Sequence, residues 1–240
     1  MDVAELGFKA LDELNQLAAS QKDDHEPDRY DFIVSCSPEA ELDNLRRLFA
    51  EEGPWPAPIT TIVDRGKTFD EHFDDAFQQL FERGYHSVVS IGGDLPTMPV
   101  NHIVRAFQWL DYFDSFSPHG GFVQAPCQEC GVSLVGYTRA TPMDSTGVFY
   151  NLDGVPALDA YIAKAAQREV PVASLTPVAD VDDMRDLAHT ISLLKGIAYS
   201  SQYQPDLFVA HRTLDWIQRV GIVVNTPPNA EHDPREQIDA

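Results

Sequence analysis

Several features are scarce in this sequence, and each scarcity excludes a class of protein. The 240 residues contain only three cysteines, an odd number that argues against a framework of disulfide bonds. No apolar run approaches the length of about 18 residues that a membrane-spanning helix needs. The first residues also lack the basic and apolar regions of a signal peptide. We therefore expect a cytoplasmic protein.

Positive charge is scarce as well. The sequence has 5 lysines and 12 arginines against 38 acidic residues, which gives a formal net charge of −21. Such a surface repels phosphate backbones and anionic lipids, so we expect neither nucleic-acid nor membrane binding. The excess of aspartate over glutamate, 25 against 13, suits a protein adapted to high salt. An acidic protein from a mesophilic cell explains it equally well.

Hydrophobic periodicity predicts helices that alternate with strands. Helical spacing of apolar residues predicts helices over 3–18, from 38, over 69–83, around 103–110, over 156–168, from 184 and over 207–220. Short apolar runs predict strands over 30–35, 59–63, 87–91, 121–125, 132–137 and 172–175. This alternation predicts an α/β fold, Rossmann-like, with an open and mainly parallel sheet and added C-terminal helices. We expect one domain over residues 1–224 and a disordered tail over 225–240.

Acidic residues follow two of the predicted strands. Asp94 comes after the strand 87–91 and two glycines, and Asp180 and Asp182 come after the strand 172–175. Ligands of open α/β sheets bind at the carboxyl ends of strands, where paired carboxylates can hold Mg²⁺ or Mn²⁺ beside phosphate oxygens. The alternative is that Asp94 only begins a turn and that Asp182 or Asp183 only caps the helix that starts at Met184.

The segment Ile91–Pro99 (Ile-Gly-Gly-Asp-Leu-Pro-Thr-Met-Pro) resembles a Gly-Ser-Asp-X-Pro-X-Leu-Pro motif. That motif belongs to the radical-SAM/selenodomain-associated transferases, a glycosyltransferase-like family of the nucleotide-diphospho-sugar transferase superfamily. Asp180–Asp183 is similar to the Asp-Val-Asp-Thr segment of the family, and Glu129–Gly136 stands where the family has Asp-Gly-Gly-Tyr-Tyr-Leu-Ile-Gly. The resemblance extends from about residue 30 to residue 187.

The resemblance implies a site for a sugar nucleotide. Asp94 and Asp182 would hold Mg²⁺ or Mn²⁺, with Asp180 as the less favoured second ligand. Glu129 would be the acceptor-side general base, although an ordinary solvated glutamate on a loop is an equal interpretation. The residues that would surround the substrate are Gly92, Gly93, Pro96 and Gly131.

This sequence also departs from the family pattern. Family members begin with an apolar strand and a basic loop that binds nucleotide, whereas this sequence begins in the helix that would follow them. His72 stands where the family has an arginine. Two hypotheses follow: a metal-assisted glycosyl or nucleotidyl transferase, or a non-catalytic descendant that serves as a binding or assembly protein. The missing strand predicts a homo-oligomer or a heteromeric complex, because an unpaired strand edge favours association.

Cys127 and Cys130 form a Cys-X-X-Cys motif. This spacing is found in metal and redox sites, but a structural zinc site needs four ligands and the sequence offers no second pair. Two incidental thiols on a loop are the simpler interpretation, and a redox or metal role is the third hypothesis for this protein.

Overall fold

A computed structural model describes residues 1–20 and 29–225. Apart from Asn225, the predicted disordered tail lies outside the described residues. The described helices are α1 (Asp2–Ser20), α2 (Leu42–Glu52), α3 (Phe69–Glu82), α4 (Val100–Asp114), α5 (Ala157–Gln167), α6 (Met184–Ser200) and α7 (His211–Val220). The described strands are β1 (Ile33–Cys36), β2 (Thr60–Val63), β3 (Ser87–Ile91), β4 (Phe122–Pro126), β5 (Val132–Thr138) and β6 (Val172–Ser174). Each predicted helix and strand is present, with boundaries that differ by a few residues.

Helix α3 illustrates how the sequence sets these boundaries. The Thr68 hydroxyl accepts a hydrogen bond from the Glu71 N–H (3.2 Å) and so caps the start of the helix. Phe77 faces the core with 2% of its surface exposed, a burial that contributes about 2 kcal/mol. Gly84 follows the helix in a left-handed conformation (φ +106°), which glycine adopts without a steric penalty and which ends the helix.

The strands form two sheets. In the first, β1 and β2 pair in parallel. The second has the order β3-β5-β4-β6, in which β5 is antiparallel to both of its neighbours and β4 is parallel to β6. The predicted α/β fold is confirmed, but the sheets are mixed, so the prediction of one mainly parallel sheet is corrected. The physical reason is the short connection between β4 and β5, which permits only an antiparallel pair.

The antiparallel strand preserves the arrangement on which a strand-end site depends. Because β5 reverses direction between β3 and β4, the strands β3, β4 and β6 point the same way. The loops that follow these strands therefore meet at one edge of the sheet, the place where ligands bind in open α/β folds. Asp94 and Asp180 lie on two of these loops, as expected.

Helices cover both faces of the four-stranded sheet. Apolar side chains of α1, α4, α6 and α7 pack on one face, and those of α3 and α5 pack on the other. At the centre of the second layer Phe122 and Tyr161 are fully buried, with ring centroids 4.9 Å apart. None of the described helices is long and apolar enough to cross a membrane.

In the part of the chain that the structure describes, β1 pairs with β2 alone. Side chains hold it in place beside the larger sheet: the Tyr85 hydroxyl, just before β3, donates to Asp31 Oδ2 (2.8 Å) just before β1. The Phe32 ring lies so close to Gly7 that a Cβ at Gly7 would come within 2.6 Å of it. The strand predicted over 30–35 is thus an edge strand, and the expected oligomer remains a prediction.

Candidate active site

A cavity of about 430 Å³ opens at the sheet edge where β3, β4 and β6 end. Its two sides differ in chemistry. The acidic side consists of Asp94, Glu129, Asp180, Asp182 and Asp186. The apolar side consists of Phe69, Phe149, Tyr150 and Val155. The cavity therefore brings together Asp94, Glu129 and Asp182, to which the sequence assigned the chemistry.

A second groove, of about 470 Å³, lies between the end of α2 and the start of β2. It is lined by Phe49, Trp55, Pro56 and Pro58, and Arg46 is the ionisable residue among its lining residues. Arg46 pairs with Asp43 (3.5 Å), which does not line the groove, so the groove lining offers no group suited to proton transfer. The larger groove is therefore not the candidate active site.

Asp94 reaches the cavity through a tight turn after β3. Gly92 lies directly beneath its carboxylate, so a Cβ at Gly92 would collide with Asp94 Oδ1. Asp94 lies in a turn, as its alternative interpretation expects, but it does not cap α4, which begins after Pro99 without a side-chain cap. Protein atoms crowd the carboxyl group, and this desolvation raises the pKa of Asp94; the charges of Asp180 and Asp182 raise it further.

The second acidic segment is held in place by backbone and side-chain contacts. Asp183 caps α6 by accepting hydrogen bonds from the Arg185 N–H (2.6 Å) and the Asp186 N–H (3.1 Å). The capping role therefore belongs to Asp183 and leaves Asp182 free of it. The Gln128 amide donates to the Asp180 carbonyl oxygen (2.7 Å) and accepts from the Asp180 N–H (3.2 Å). These bonds tie the loop after β6 to the loop after β4.

The carboxylates on the acidic side have no basic partner. In the part of the chain that the structure describes, no lysine or arginine forms an ion pair with Asp94, Asp180 or Asp182. Desolvation raises the pKa of Asp182, and the charges of Asp180, Asp186 and Asp183 raise it further. Clustered carboxylates with raised pKa values are typical of sites that bind a cation or transfer a proton.

The chemistry of these groups fits a divalent cation, since carboxylate oxygens are ligands of Mg²⁺ and Mn²⁺. Their arrangement does not form a ready-made cage: among the described residues, no group of three or more His, Cys, Asp or Glu side chains is placed to hold a metal ion. This agrees with the way proteins bind Mg²⁺, through one or two carboxylates while phosphate and water oxygens supply the remaining ligands.

Glu129 and Cys130 lie on the loop between β4 and β5, both in left-handed conformations (φ 59° and 62°). Both are exposed, and the Glu129 side chain lines the cavity. Gly131 ends this loop, and a Cβ there would come within 2.6 Å of Cys127 Sγ. Glu129 and Gly131 both line the cavity, and their roles stay predictions.

Cys127 is a poor candidate for redox chemistry. Burial raises the pKa of its thiol to about 12, and a hydrogen bond with Asp180 contributes to the rise. A thiol with a raised pKa stays protonated at neutral pH, whereas thiolate is the form that attacks disulfides. The redox part of the third hypothesis therefore loses its support from this residue, and the metal part stays a prediction.

Two of the predicted substrate residues do not line the cavity. Pro96 is buried, next to the buried Leu95, and contributes to the core beneath the loop. Gly93 is exposed, and a Cβ there would meet nothing within 4 Å. Their predicted contact with substrate has no geometric support here, in contrast to that of Gly92.

Sequence patterns do not predict the apolar side of the cavity. Phe69 was predicted only as the first apolar residue of a helix, and the segment that carries Phe149 and Tyr150 has no periodicity to reveal it. Phe69 contacts both rings, with centroids 4.9 Å from Phe149 and 5.7 Å from Tyr150. The exposure of Phe69 (49%) separates it from a core residue, and only a structure gives this value.

A second polar cluster lies at the carboxyl ends of β1 and β2. His72 Nδ1 lies 2.7 Å from Asp64 Oδ1 and 3.2 Å from Ser37 Oγ, and Ser35 Oγ donates to Asp64 Oδ2 (2.5 Å). Both His72 contacts use the same ring nitrogen, so the ring does not relay a proton from Ser37 to Asp64. We interpret this cluster as a bridge between α3 and the two-stranded sheet.

The α/β fold resembles that of a solved structure. It is similar to a crystal structure described as a "putative nucleotide-diphospho-sugar transferase" from Desulfovibrio desulfuricans G20, with a TM-score of 0.63 and 18% sequence identity. The match covers 91% of this chain and 84% of the other. At this identity the similarity concerns the fold alone.

The sequence profile of one family matches residues 25–151, which is just over half of the chain. This family is described as "Uncharacterized protein conserved in bacteria (DUF2064)", and the protein belongs to it. No curated protein matches the chain in sequence.

Proposed function

We propose that this protein binds a sugar nucleotide, with Mg²⁺ or Mn²⁺ at Asp94 and Asp182, and transfers a glycosyl or nucleotidyl group. One observation carries the proposal: the cluster of carboxylates without a basic partner, at the strand ends of a fold that resembles a nucleotide-diphospho-sugar transferase. The likeness of the segment Ile91–Pro99 to the radical-SAM/selenodomain-associated transferases supports the same activity.

The protein's own residues divide the work. The Asp94 and Asp182 carboxylates bind the cation, and Gly92 leaves the space that the Asp94 carboxylate occupies. The bound cation would neutralise the diphosphate of the donor and of the departing nucleotide. Glu129 would accept the proton of the acceptor hydroxyl. The acceptor oxygen would then form a bond to the sugar carbon, while the bond between that carbon and the phosphate oxygen breaks. The products are the glycosylated acceptor and a nucleoside diphosphate.

A non-catalytic binding protein is the second candidate, and one observation favours it. No lysine or arginine lines the cavity in the part of the chain that the structure describes. Phosphates bound here would rely on the cation alone for neutralisation, whereas nucleotide sites commonly add basic side chains. Such a protein would bind nucleotide weakly and would not turn it over.

Calorimetry tests the proposal with Mn²⁺ alone, with nucleoside diphosphates and sugar nucleotides alone, and with each pair together. We expect weak binding of either component alone and at least tenfold tighter binding of the pair, because the phosphate oxygens complete the coordination sphere. Turnover of a sugar nucleotide would then identify the enzyme. Paired binding without turnover would favour the non-catalytic candidate, and no cooperation between Mn²⁺ and nucleotide would refute both.

A further inference from the structure

The apolar side of the cavity exposes large side chains to solvent in a small area. Phe69 is 49% exposed, Tyr150 89%, Leu152 105% and Val155 44%. Phe69, Tyr150 and Val155 line the cavity, and Leu152 lies on the same loop. Clustered exposure of this kind costs free energy in water and marks sites that bind a ligand or a partner. We call Phe69, Phe149, Tyr150 and Val155 the aromatic wall.

Hydrogen bonds hold the loop of the aromatic wall in a defined shape. The Asp70 carboxylate accepts from the N–H groups of Gly147 (2.7 Å) and Phe149 (2.9 Å). The Asn151 side chain donates to the carbonyl oxygens of Val148 (3.2 Å) and Val155 (2.7 Å) and accepts from the Val155 N–H (2.9 Å). The loop thus holds Tyr150 in solvent at the cavity mouth instead of letting it collapse onto the core. A preformed apolar surface binds its ligand at a lower entropic cost.

The aromatic wall offers ring faces and aliphatic groups rather than polar contacts. Asn151 is the polar side chain next to it, and its amide is already used within the loop. A phosphate, which needs several hydrogen-bond donors or cations, is therefore poorly served here, since the Tyr150 hydroxyl is the polar group of the wall itself. An aromatic or aliphatic group would stack on Phe69 and Tyr150 and remove apolar surface from water.

The opposite side of the cavity restricts the charge of that group. Asp94, Asp180 and Asp182 face the same space, and no basic side chain lines it within the described residues. An anionic apolar ligand, such as a fatty acid, would be repelled. The charge pattern therefore disfavours an anionic acceptor, whereas a neutral one meets no repulsion.

We propose that the aromatic wall binds the acceptor, and that the acceptor is a neutral alcohol or phenol carried on an apolar or aromatic scaffold. This inference rests on the proposed function, because the acceptor must lie in the same cavity as the donor and within reach of Glu129. It names a class of acceptor: the hydroxyl faces the acidic side, and the apolar scaffold lies on the wall.

Two fluorescent probes with one scaffold test this inference on the whole protein. N-phenyl-1-naphthylamine is neutral, and 1-anilinonaphthalene-8-sulfonate adds a sulfonate to it. We expect saturable binding of the neutral probe, at least about tenfold tighter than that of the sulfonate. The variant Phe69→Ala/Tyr150→Ala should bind the neutral probe about tenfold or more weakly than the parent, since it lacks both exposed rings.

The matched control is Tyr199→Ala/Tyr203→Ala. These tyrosines form another exposed aromatic pair, 63% and 73% exposed with ring centroids 6.0 Å apart. The control should bind both probes as the parent does. If the control loses as much affinity as Phe69→Ala/Tyr150→Ala, or if the latter loses none, the inference is wrong. The single variant Tyr150→Ala replaces a side chain that is 89% exposed, so a folded protein is available for the comparison.

Two further measurements separate this inference from the proposed function. Binding of Mn²⁺ with a nucleoside diphosphate, measured on the same variants, should be unchanged when the aromatic wall is removed. If the parent protein does not bind Mn²⁺ together with a nucleoside diphosphate, the proposed function is wrong. Probe binding tests the aromatic wall independently of that result. Sedimentation that shows an oligomer in the parent and a monomer in Phe69→Ala/Tyr150→Ala would assign the wall to a second copy of the chain, which overturns the inference.

Discussion

Asp144, on the connection after β5, behaves differently from Asp94 and Asp182, which follow β3 and β6. Asp144 lies between two basic side chains, with Lys164 Nζ at 2.7 Å and Arg168 Nη2 at 2.6 Å. Burial alone would raise the pKa of Asp144, but hydrogen bonds from Lys164 and Arg168 outweigh it and hold the pKa far below its ordinary value. Asp94 and Asp182 have no such partner among residues 1–20 and 29–225, and their pKa values are raised.

The difference separates a carboxylate that holds the fold from one that is available to a ligand. The charge of Asp144 is balanced within the protein, so Asp144 gains nothing from a metal ion. The charges of Asp94, Asp180 and Asp182 repel one another, and a divalent cation would relieve that repulsion. This chain has a net charge of −21. The basic side chains that pair with a carboxylate therefore indicate its role better than its position in the sequence does.

The largest expected effect concerns ligand binding. Asp94→Ala and Asp182→Ala should each weaken Mn²⁺-dependent binding of a nucleoside diphosphate by about 100-fold, because each removes a proposed ligand. Each variant should unfold at the same temperature as the parent or higher, since it removes a repelling charge. Calorimetry and thermal unfolding measure the two effects.

The control for these variants is Asp206→Ala, which removes one exposed carboxylate far along the chain from the cavity residues. It should leave binding unchanged. A variant at Asp94 or Asp182 that binds as well as Asp206→Ala would remove that residue from the proposed site.

Asp144→Asn should lower stability and leave ligand binding unchanged, the opposite of what we expect for Asp94→Ala and Asp182→Ala. The substitution leaves Lys164 and Arg168 without their shared partner, and we expect a loss of about 1–2 kcal/mol in the free energy of unfolding. This value lies between that of an exposed and a buried ion pair, since 35% of the Asp144 side chain is exposed. Binding of Mn²⁺ and nucleotide should change less than about twofold. Urea unfolding that shows no difference between Asp144→Asn and the parent would contradict the structural role.

The pH dependence of stability sharpens the comparison. A lowered pKa in the folded state means that Asp144 stabilises the protein fully above the pKa of an unfolded aspartate, about 3.9, and loses this contribution as the pH falls below it. The difference in unfolding free energy between the parent and Asp144→Asn should therefore be constant between about pH 5 and 7 and shrink towards pH 2.5. Urea titrations across this range measure it. A difference that grows on acidification would reverse the assigned sign.

Salt should produce the smallest effect. The Debye length falls from about 10 Å at 0.1 M salt to about 3 Å at 1 M, so the melting temperature of this acidic protein should rise with sodium chloride. The rise should be smaller in Asp94→Asn/Asp182→Asn, which has less repulsion to screen, and larger in Asp144→Asn, which has lost an attraction. Thermal scans measure it, and equal slopes in all three proteins would contradict the comparison. A flat response of the parent would favour the mesophilic interpretation of its composition.

Sequence patterns were sufficient to locate the elements and the acidic side of the cavity. The apolar run 87–91 followed by two glycines, and the aspartates after 172–175, identified strand ends because the carboxyl ends of strands collect ligand-binding residues. Strand direction was missed, since apolar runs look alike in parallel and antiparallel strands. A signal was available: only residues 127–131 separate β4 from β5, and a parallel connection needs a dozen residues or more.

The division of roles among neighbouring residues required the structure. Asp182 and Asp183 are equivalent in sequence, but only the geometry shows that Asp183 caps α6. The aromatic wall could not be predicted, because Tyr150 lies on an irregular loop and its neighbour Phe69 is 81 residues away in sequence. Contacts between distant segments leave no trace in local periodicity.

Anomalous diffraction from crystals that contain Mn²⁺ and a nucleoside diphosphate examines the proposed metal site most directly. We expect one strong manganese peak in the cavity, about 2.0–2.4 Å from carboxylate oxygens of Asp94 and Asp182 and from phosphate oxygens, and none at Asp144. A manganese ion bound elsewhere, or nucleotide bound without manganese at Asp94, would contradict the account that Asp144 stabilises the fold while Asp94 and Asp182 bind a cation.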